Sequence, residues 1–493
     1  MLTPIDRWHC ERAWLGPGRV AAGVLLRVEG GRIAQVEVGV PPPPGAVRLS
    51  GLTLPGFANA HCHAFHRLLR GRTQRAGGDF WRWRELMYQA AALLDPDGYH
   101  QLARAVYTEM VLAGWTVVGE FHYLHHQPGG RPYQDPNAMG KALCAAAADA
   151  GIRLTLLDTC YLWSGFGRRV PMQASEAMPL MGTRGSREPN PVQRRFSDGT
   201  PAAWAARVER LLGLGLGETL PEPGLVRVGA AIHSVRALAP EELAEVAAWA
   251  RAAGVPLHFH LSEQVAENDD CLAHTGLRPT ALLDEAGALG PRTTAVHATH
   301  LDADDLRRLG AAGAFACFCP TTERDLGDGI GPAAELRDAG VRLCVGSDSN
   351  AVVDPFEETR AVELDDRLRL RRRGIHDPDQ LLTAATAHGY AALGWDPVGL
   401  QPGSLADFVT VSLNSERLAP AGATGGDGDA GDDAGAAADP DQDLAAAVLF
   451  AAAPGDVTDV VVGGRQVVAA GRHARYDDVA GLLTAAARGL SRL

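Results

Sequence analysis

The segment ANAHCHAFHRLLRG places His61, His63 and His66 within six positions, just after the apolar, turn-closed run LTLPGF. A buried histidine usually stands alone, satisfied by one hydrogen bond. Two at i and i+2 on a β-strand share a face, so His61 and His63 would aim two ring nitrogens at one point, as a metal site requires. Further along, VPLHFHLSE offers His258, His260 and Glu263, TAVHATHL offers His297 and His300, and LCVGSDS ends in Asp348. Imidazoles and a carboxylate in this combination suit Zn²⁺ or Fe²⁺. Each piece alone is weak: HxH recurs by chance, and an aspartate in GSDS is usually a turn residue or helix cap. The case for a metal rests on all four pieces occupying equivalent positions of one fold.

The elements around them supply that fold. From Pro55 to about residue 395, short apolar runs alternate with Ala- and Leu-rich helical stretches such as PEELAEVAAWARAAG. The apolar runs are the segment 52–63 followed by GWTVVGEFHY, IRLTLLDTCYL, LVRVGAAIH, VPLHFHLSE, TTAVHATHL, GAFACFCP and VRLCVGSDS. Repeated βα units imply a parallel sheet, and eight of them imply an α/β fold closed into a (β/α)8 TIM barrel. In such barrels catalytic groups sit at the C-terminal strand ends, where all four pieces fall. The flanks read differently. In residues 1–55, VLLRVEGGRIAQVEVG is a hairpin signal around Gly30-Gly31. After about residue 395, GSLADFVTVSL and VTDVVVGGRQVVAAGR return to strands. The expected organisation is a barrel over 56–395 and a small β-sandwich built from 1–55 and 396–493. An Ala-, Gly- and Asp-rich insert at about 419–443 has too little apolar surface to fold and is expected to be disordered.

The chain has 493 residues, enough for a large core and a second unit. A formal net charge of -13 argues against a nucleic-acid-binding surface, but not against a small anionic substrate, because a site's local field can oppose the net charge. The eight cysteines are scattered with no CxxC pair, the pattern of reduced thiols in a cytoplasmic protein; Cys317 and Cys319 read as core. The stretch MLTPIDRWHCERAWLG has no basic head followed by an apolar run, so no signal peptide is expected. Nor is there an apolar run of about 18 residues, so no membrane span is expected. Lys141 is the only lysine.

The order HxH, His, His, Asp at strand ends resembles the amidohydrolase superfamily, and the resemblance covers nearly the whole chain, flanking β-domain included. Many two-metal members bridge the ions with a carboxylated lysine; Lys141 falls in an Ala-rich helical stretch instead, so one divalent ion, Zn²⁺ or Fe²⁺, is expected. The phrase His260-Leu-Ser-Glu263 is similar to the HxxE of the mononuclear deaminase branch. That match implies His61, His63, His260 and Asp348 as metal ligands and Glu263 as the proton carrier, with help from Asp348. It implies His297 as the group that polarises substrate or water, and His258 and His300 as structural residues. Longer phrases, among them HAFHRLLRG, DFWRWRELMY, EFHYLHH, QRRF, AIHSVRAL, CPTTERDLGDG and GSDSN, resemble the formimidoylglutamate deiminase family. The resemblance implies hydrolysis of N-formimino-L-glutamate to N-formyl-L-glutamate and ammonia, in histidine degradation, by a cytoplasmic homodimer. The alternative is the same fold acting on guanine, cytosine, a triazine or another N-formimino amino acid. A small dicarboxylate calls for arginines, whose planar fork grips carboxylates bidentately. Arg84 and Arg236 match the family's substrate-binding positions, Tyr123 and His233 would add hydrogen bonds, and Arg82, Arg194 and Arg195 are further candidates. Trp81 and Trp83 read as packing. At position 66 the family pattern has glutamine; here His66 would line the pocket without an amide's paired donor and acceptor.

Overall fold

The computed structural model describes residues 5–74, 80–166, 187–213, 224–395, 397–419 and 440–488. Four strands come first: β1 (Arg7–Trp14), β2 (Val20–Glu29), β3 (Arg32–Glu37) and β4 (Val47–Pro55). Eight parallel strands follow, one for each apolar run: β5 (Phe57–Cys62), β6 (Trp115–His122), β7 (Arg153–Cys160), β8 (Val226–Ile232), β9 (Leu257–Leu261), β10 (Thr293–His297), β11 (Phe315–Phe318) and β12 (Arg342–Val345). They pair in sequence order from β5 to β12. A parallel bridge between Cys62 and Asp348 joins the two ends. There the His63 amide donates to the Asp348 carbonyl at 3.0 Å and the Asp348 amide donates to the His61 carbonyl at 3.0 Å. The strands WTVVGEFH and RLTLLDTC are buried along their whole length, as in a sheet covered on both faces.

Closure depends on one glycine. A Cβ on Gly346 would lie 2.7 Å from the His61 carbonyl oxygen and 2.9 Å from the His61 amide nitrogen, so only glycine lets β12 come this close to β5. The seam it permits carries three of the four expected metal ligands.

The last strands, β13 (Phe408–Val411), β14 (Val457–Val462), β15 (Arg465–Ala469) and β16 (Arg472–His473), join the first four in one hydrogen-bonded series, β16-β15-β14-β13-β4-β1-β2-β3. The hairpin at Gly30-Gly31 is present: Glu29 pairs with Arg32, and both glycines have positive φ, 56° and 76°, as a two-residue type I′ turn demands. A buried ion pair ties this sheet to the barrel. Asp407 accepts from Arg153 of β7 at 2.5 and 3.0 Å, from the Tyr390 hydroxyl at 2.8 Å and from the Gly463 amide at 2.6 Å.

The acidic insert falls almost wholly outside the described residues. Its end needs correction: residues 440–443 open the helix Pro440–Ala451, whose Leu444, Ala445, Val448 and Leu449 are buried. That apolar face extends the helix back into residues whose composition alone reads as unfolded. Lys141 lies in the helix Ala138–Ala150, away from any strand end, paired with Asp135. All eight cysteines are buried free thiols, and no helix among the described residues is long and apolar enough to cross a membrane.

Candidate metal centre and active site

Four side chains meet at the C-terminal mouth of the barrel. His61 Nε2 lies 3.3 Å from Asp348 Oδ1, His63 Nε2 lies 3.4 Å from the same oxygen, and His260 Nε2 lies 3.3 Å from His61 Nε2. Ligand atoms held 2.0–2.1 Å from a tetrahedral ion are about 3.3–3.4 Å apart, and these three separations match that spacing. The hydrogen bonds on the far side of the rings fix the tautomers. His63 Nδ1 donates to the Phe121 carbonyl at 2.9 Å and His260 Nδ1 donates to the His233 carbonyl at 2.8 Å. A carbonyl oxygen only accepts, so those protons sit on Nδ1 and each Nε2 presents a bare lone pair. Burial holds the His61, His63 and His260 rings below the ordinary imidazole range, hence in the neutral form that ligates. Burial alone would raise Asp348, but hydrogen bonding to His61 and the charges of the surrounding rings outweigh it, and the carboxylate stays ionised. Electron-rich nitrogens facing a carboxylate in a buried space call for a cation.

Glu263 and His297 stand beside this cluster, both buried, with Glu263 Oε1 3.9 Å from His297 Nε2. Burial pushes the Glu263 carboxyl up, and the negative charge of Asp348 adds to that, against the opposing charges of His297 and Arg236. A carboxyl raised in this way holds a proton more readily than an ordinary carboxylate, which suits a group that must both accept and return one. Burial pulls the His297 ring down, but Glu263, Glu323 and Asp348 outweigh it and push it up to about 10. The backbone is strained where these groups are aimed: His297 has φ 67° and Asp348 φ 40°, left-handed values that cost non-glycine residues on the order of 1–3 kcal/mol. Glu323, on the helix Pro320–Leu326, accepts from His297 Nδ1 at 3.3 Å and from the Cys319 amide at 2.8 Å.

The rest of the pocket is aromatic and basic. His66 Nε2 is 3.0 Å from the Tyr123 hydroxyl, and its ring centre is 4.5 Å from that of His63 and 5.0 Å from that of Trp83. The His233 ring lies 5.1 Å from His260, 5.5 Å from Tyr123 and 4.7 Å from Tyr161. Arg84 donates from Nε to the Tyr88 hydroxyl at 2.7 Å, and Arg236 Nη1 is 3.6 Å from Glu267 Oε1. Burial, then the charges of Arg236 and Arg84, keep His233 well below its ordinary range. Both guanidinium charges therefore lie within electrostatic reach of His233.

The amidohydrolase family model matches residues 52–467. The chain belongs to the amidohydrolase family. It is 39% identical to a formimidoylglutamate deiminase of Pseudomonas aeruginosa over 441 residues, covering 87% of each chain. It is 30% identical over 418 residues to an 8-oxoguanine deaminase of the same organism, covering 81% of this chain and 84% of the relative. Among solved structures, an amidohydrolase from Brucella melitensis superposes with a TM-score of 0.84 at 32% identity, over 99% of this chain and 100% of that one.

Within this amidohydrolase, His61, His63, His260, Asp348, Glu263, His297, His66, Tyr123, His233, Arg84 and Arg236 occupy one region. Arg82 and Arg194 are exposed. Arg195 is fully buried and spends its guanidinium on the carbonyls of His126, Ala91 and Leu94, which makes it a clamp between segments. His258 and His300 are structural as expected, donating from Nε2 to the carbonyls of Ala392 and Asp328 at 2.9 and 2.8 Å. The Trp81 side chain lies outside what is described; Trp83 packs on His66. Four nearby groups escape sequence reasoning: Glu323, Asp328, Tyr161 and Gln193. Burial and the neighbouring Glu263 charge push Asp328 up to about 9. The phrases CPTTERDLGDG and QRRF contain three of these four, but polar residues after a strand give no sign of which one turns inward. A second cluster of His122, His125 and Asp158 also lies close together, yet both Asp158 oxygens accept from Arg207 at 2.8 Å, a cation already in place.

Proposed function

We propose that this amidohydrolase is a formimidoylglutamate deiminase, converting N-formimino-L-glutamate and water into N-formyl-L-glutamate and ammonia. The observation that carries the reading is that two arginines, Arg84 and Arg236, both act on the charge of His233, whose ring lies 5.1 Å from His260 in the histidine cluster that could hold a metal. That arrangement offers two cations to a substrate with two carboxylates, and its relative from Pseudomonas aeruginosa bears the corresponding name.

In this reading His61, His63, His260 and Asp348 hold one divalent ion, Zn²⁺ being the best match to the donor set. The ion supplies Lewis acidity, which can bring the pKa of water to about 7. Glu263 takes a proton from the water that attacks the formimino carbon and returns it to the departing nitrogen, which leaves as ammonia. His297 donates from Nε2 to the oxygen that gains charge, and Glu323 holds its Nδ1. Arg84, Arg236, Tyr123 and His233 fix the substrate so that the amidine carbon stays over the reacting groups. His66 lines the wall behind Tyr123.

Ammonia release from metal-analysed protein tests this, with N-formimino-L-glutamate, N-formimino-L-aspartate, guanine and cytosine in parallel. Rapid release from the glutamate compound, with N-formyl-L-glutamate as the other product, is the expected result. Intact metal without turnover of that compound would overturn the substrate assignment.

A further inference from the structure

The amide of Gln193 can be oriented from its neighbours. Its Oε1 accepts from the Asn190 amide at 3.0 Å, so the NH₂ side must face the two phenols on the other side. It donates to the Tyr161 hydroxyl at 2.7 Å and to the Tyr88 hydroxyl at 2.9 Å. The Tyr88 oxygen also accepts from Arg84 Nε at 2.7 Å. Neither an amide NH₂ nor a guanidinium can accept, so both phenolic protons must be donated elsewhere. Among the described residues neither hydroxyl has an acceptor for its proton. Tyr161 is only 4% exposed, and a buried donor left unspent is costly. Two aimed O–H donors beside a guanidinium are the recognition chemistry of a carboxylate.

We propose that Tyr88 and Tyr161, oriented by Gln193, form with Arg84 a subsite for the distal γ-carboxylate of the substrate, while Arg236 takes the α-carboxylate; this rests on the substrate reading above. The order of the two cations follows from their surroundings. Arg236 is paired with Glu267 and acts on the charge of Glu263, next to the reacting centre. Arg84 sits with Tyr88 and Tyr161, and the Tyr161 ring lies 4.7 Å from the His233 ring, which is itself 5.1 Å from the ring of His260. In N-formimino-L-glutamate the α-carboxylate is on the carbon that bears the reacting nitrogen, and the γ-carboxylate is two carbons further out. The nearer cation matches the nearer carboxylate. Arg84 and Arg236 both oppose the upward push of burial on the Tyr161 phenol, in keeping with its place between them.

The test compares wild-type holoenzyme with Tyr161→Phe and Tyr88→Phe, each checked for metal content and melting temperature. Calorimetry gives the affinities for N-formyl-L-glutamate and N-formyl-L-glutamine, which differ only at the γ position. Loss of one hydrogen bond to a carboxylate is expected to cut the preference for the glutamate compound by about tenfold or more. Tyr88 is only half-buried, so the Tyr88→Phe variant keeps the test alive if Tyr161→Phe does not fold. A preference within twofold of wild type in the folded variants overturns the subsite. Equal weakening of both compounds places the α-carboxylate there and overturns the order of the two cations. Wild-type turnover of N-formimino-L-glutamate is measured separately: its absence defeats the substrate reading, whereas turnover with an unchanged preference in the variants defeats the subsite alone.

Discussion

Replacing Glu263 with glutamine removes one proton carrier and little else. The two side chains match in shape, and the carboxylate lies 3.9 Å from Nε2 of His297, which is not among the expected metal ligands. In the reaction proposed here Glu263 acts twice, once on the attacking water and once on the departing nitrogen. General acid–base help is worth about 10² to 10⁴ in rate, and a group used in both directions belongs at the upper end. Turnover should fall by about 10³ to 10⁴, or about 4–5.5 kcal/mol of barrier, with metal content unchanged. The pH profile should change too. Burial raises the Glu263 carboxyl above the ordinary carboxylate range, so the base form is lost as pH falls through that raised value. In the wild type kcat/KM should therefore decline on the acid side earlier than an ordinary carboxylate would cause, and in Glu263→Gln that limb should disappear. The assay is ammonia release across pH 5–9, with metal per chain measured on the same samples. Activity within tenfold of wild type at equal metal would refute the proton-carrier role, and loss of metal along with activity would assign Glu263 to the upkeep of the site instead.

Glu323→Gln keeps an acceptor on His297 Nδ1 but removes its charge, so kcat should fall by about 10- to 100-fold, the usual cost of losing such an orienting partner; KM and metal content should stay near wild type, and a KM rise without loss of kcat would contradict the role. Asp407→Ala leaves the buried Arg153 guanidinium without its carboxylate and deprives the Tyr390 hydroxyl and the Gly463 amide of their acceptor. The expected loss is about 3–5 kcal/mol, read as a much shorter half-life of thermal inactivation. An unchanged half-life would mean that the pair does not tie the two sheets. His258 is pulled by burial down to about 3, against the partial support of the Ala392 carbonyl. Its folded value lies below its unfolded one, so the unfolded chain takes up the proton first and stability falls as pH drops below about 6.5, by up to about 1.4 kcal/mol per pH unit. His258→Gln should lessen the fall of the denaturation midpoint between pH 6.5 and 5 by that one group's share, the other buried histidines keeping theirs, and an identical slope in the variant would contradict this.

The barrel was readable in the sequence because its information is local. Each strand is a short apolar run bounded by helical stretches, and HxH on a strand end carries its own geometry. The choice between His258 and His260 is different. Both belong to β9, two residues apart, and strand alternation puts them on the same face. What separates them is depth: His260 lies at the mouth of the barrel, while His258 lies two residues earlier with its Nε2 spent on Ala392. No period in the sequence encodes depth, so the resemblance had to supply the choice. Arginine has the same ambiguity. Arg84, Arg194 and Arg195 are alike as letters, yet one faces Tyr88, one is exposed and one is consumed by three carbonyls.

At position 66, where the resemblance leads to the expectation of glutamine, a histidine can still satisfy the local chemistry. A glutamine there would present an amide with a donor and an acceptor. His66 reaches Tyr123 through Nε2 at 3.0 Å and leaves Nδ1 buried without a partner, and burial holds the ring neutral by pulling it down to about 3. A neutral imidazole has one donor and one acceptor nitrogen, as an amide has both functions, but they point to opposite sides of a ring instead of the same side of a plane. The contact with Tyr123 is therefore kept, while the second function turns away from where an amide would have placed it. His66→Gln should restore that second function on the Tyr123 side of the pocket. If the substrate reaches this wall, KM for N-formimino-L-glutamate should fall in the variant. If it does not, kinetics should be unchanged and position 66 acts only as support for Tyr123.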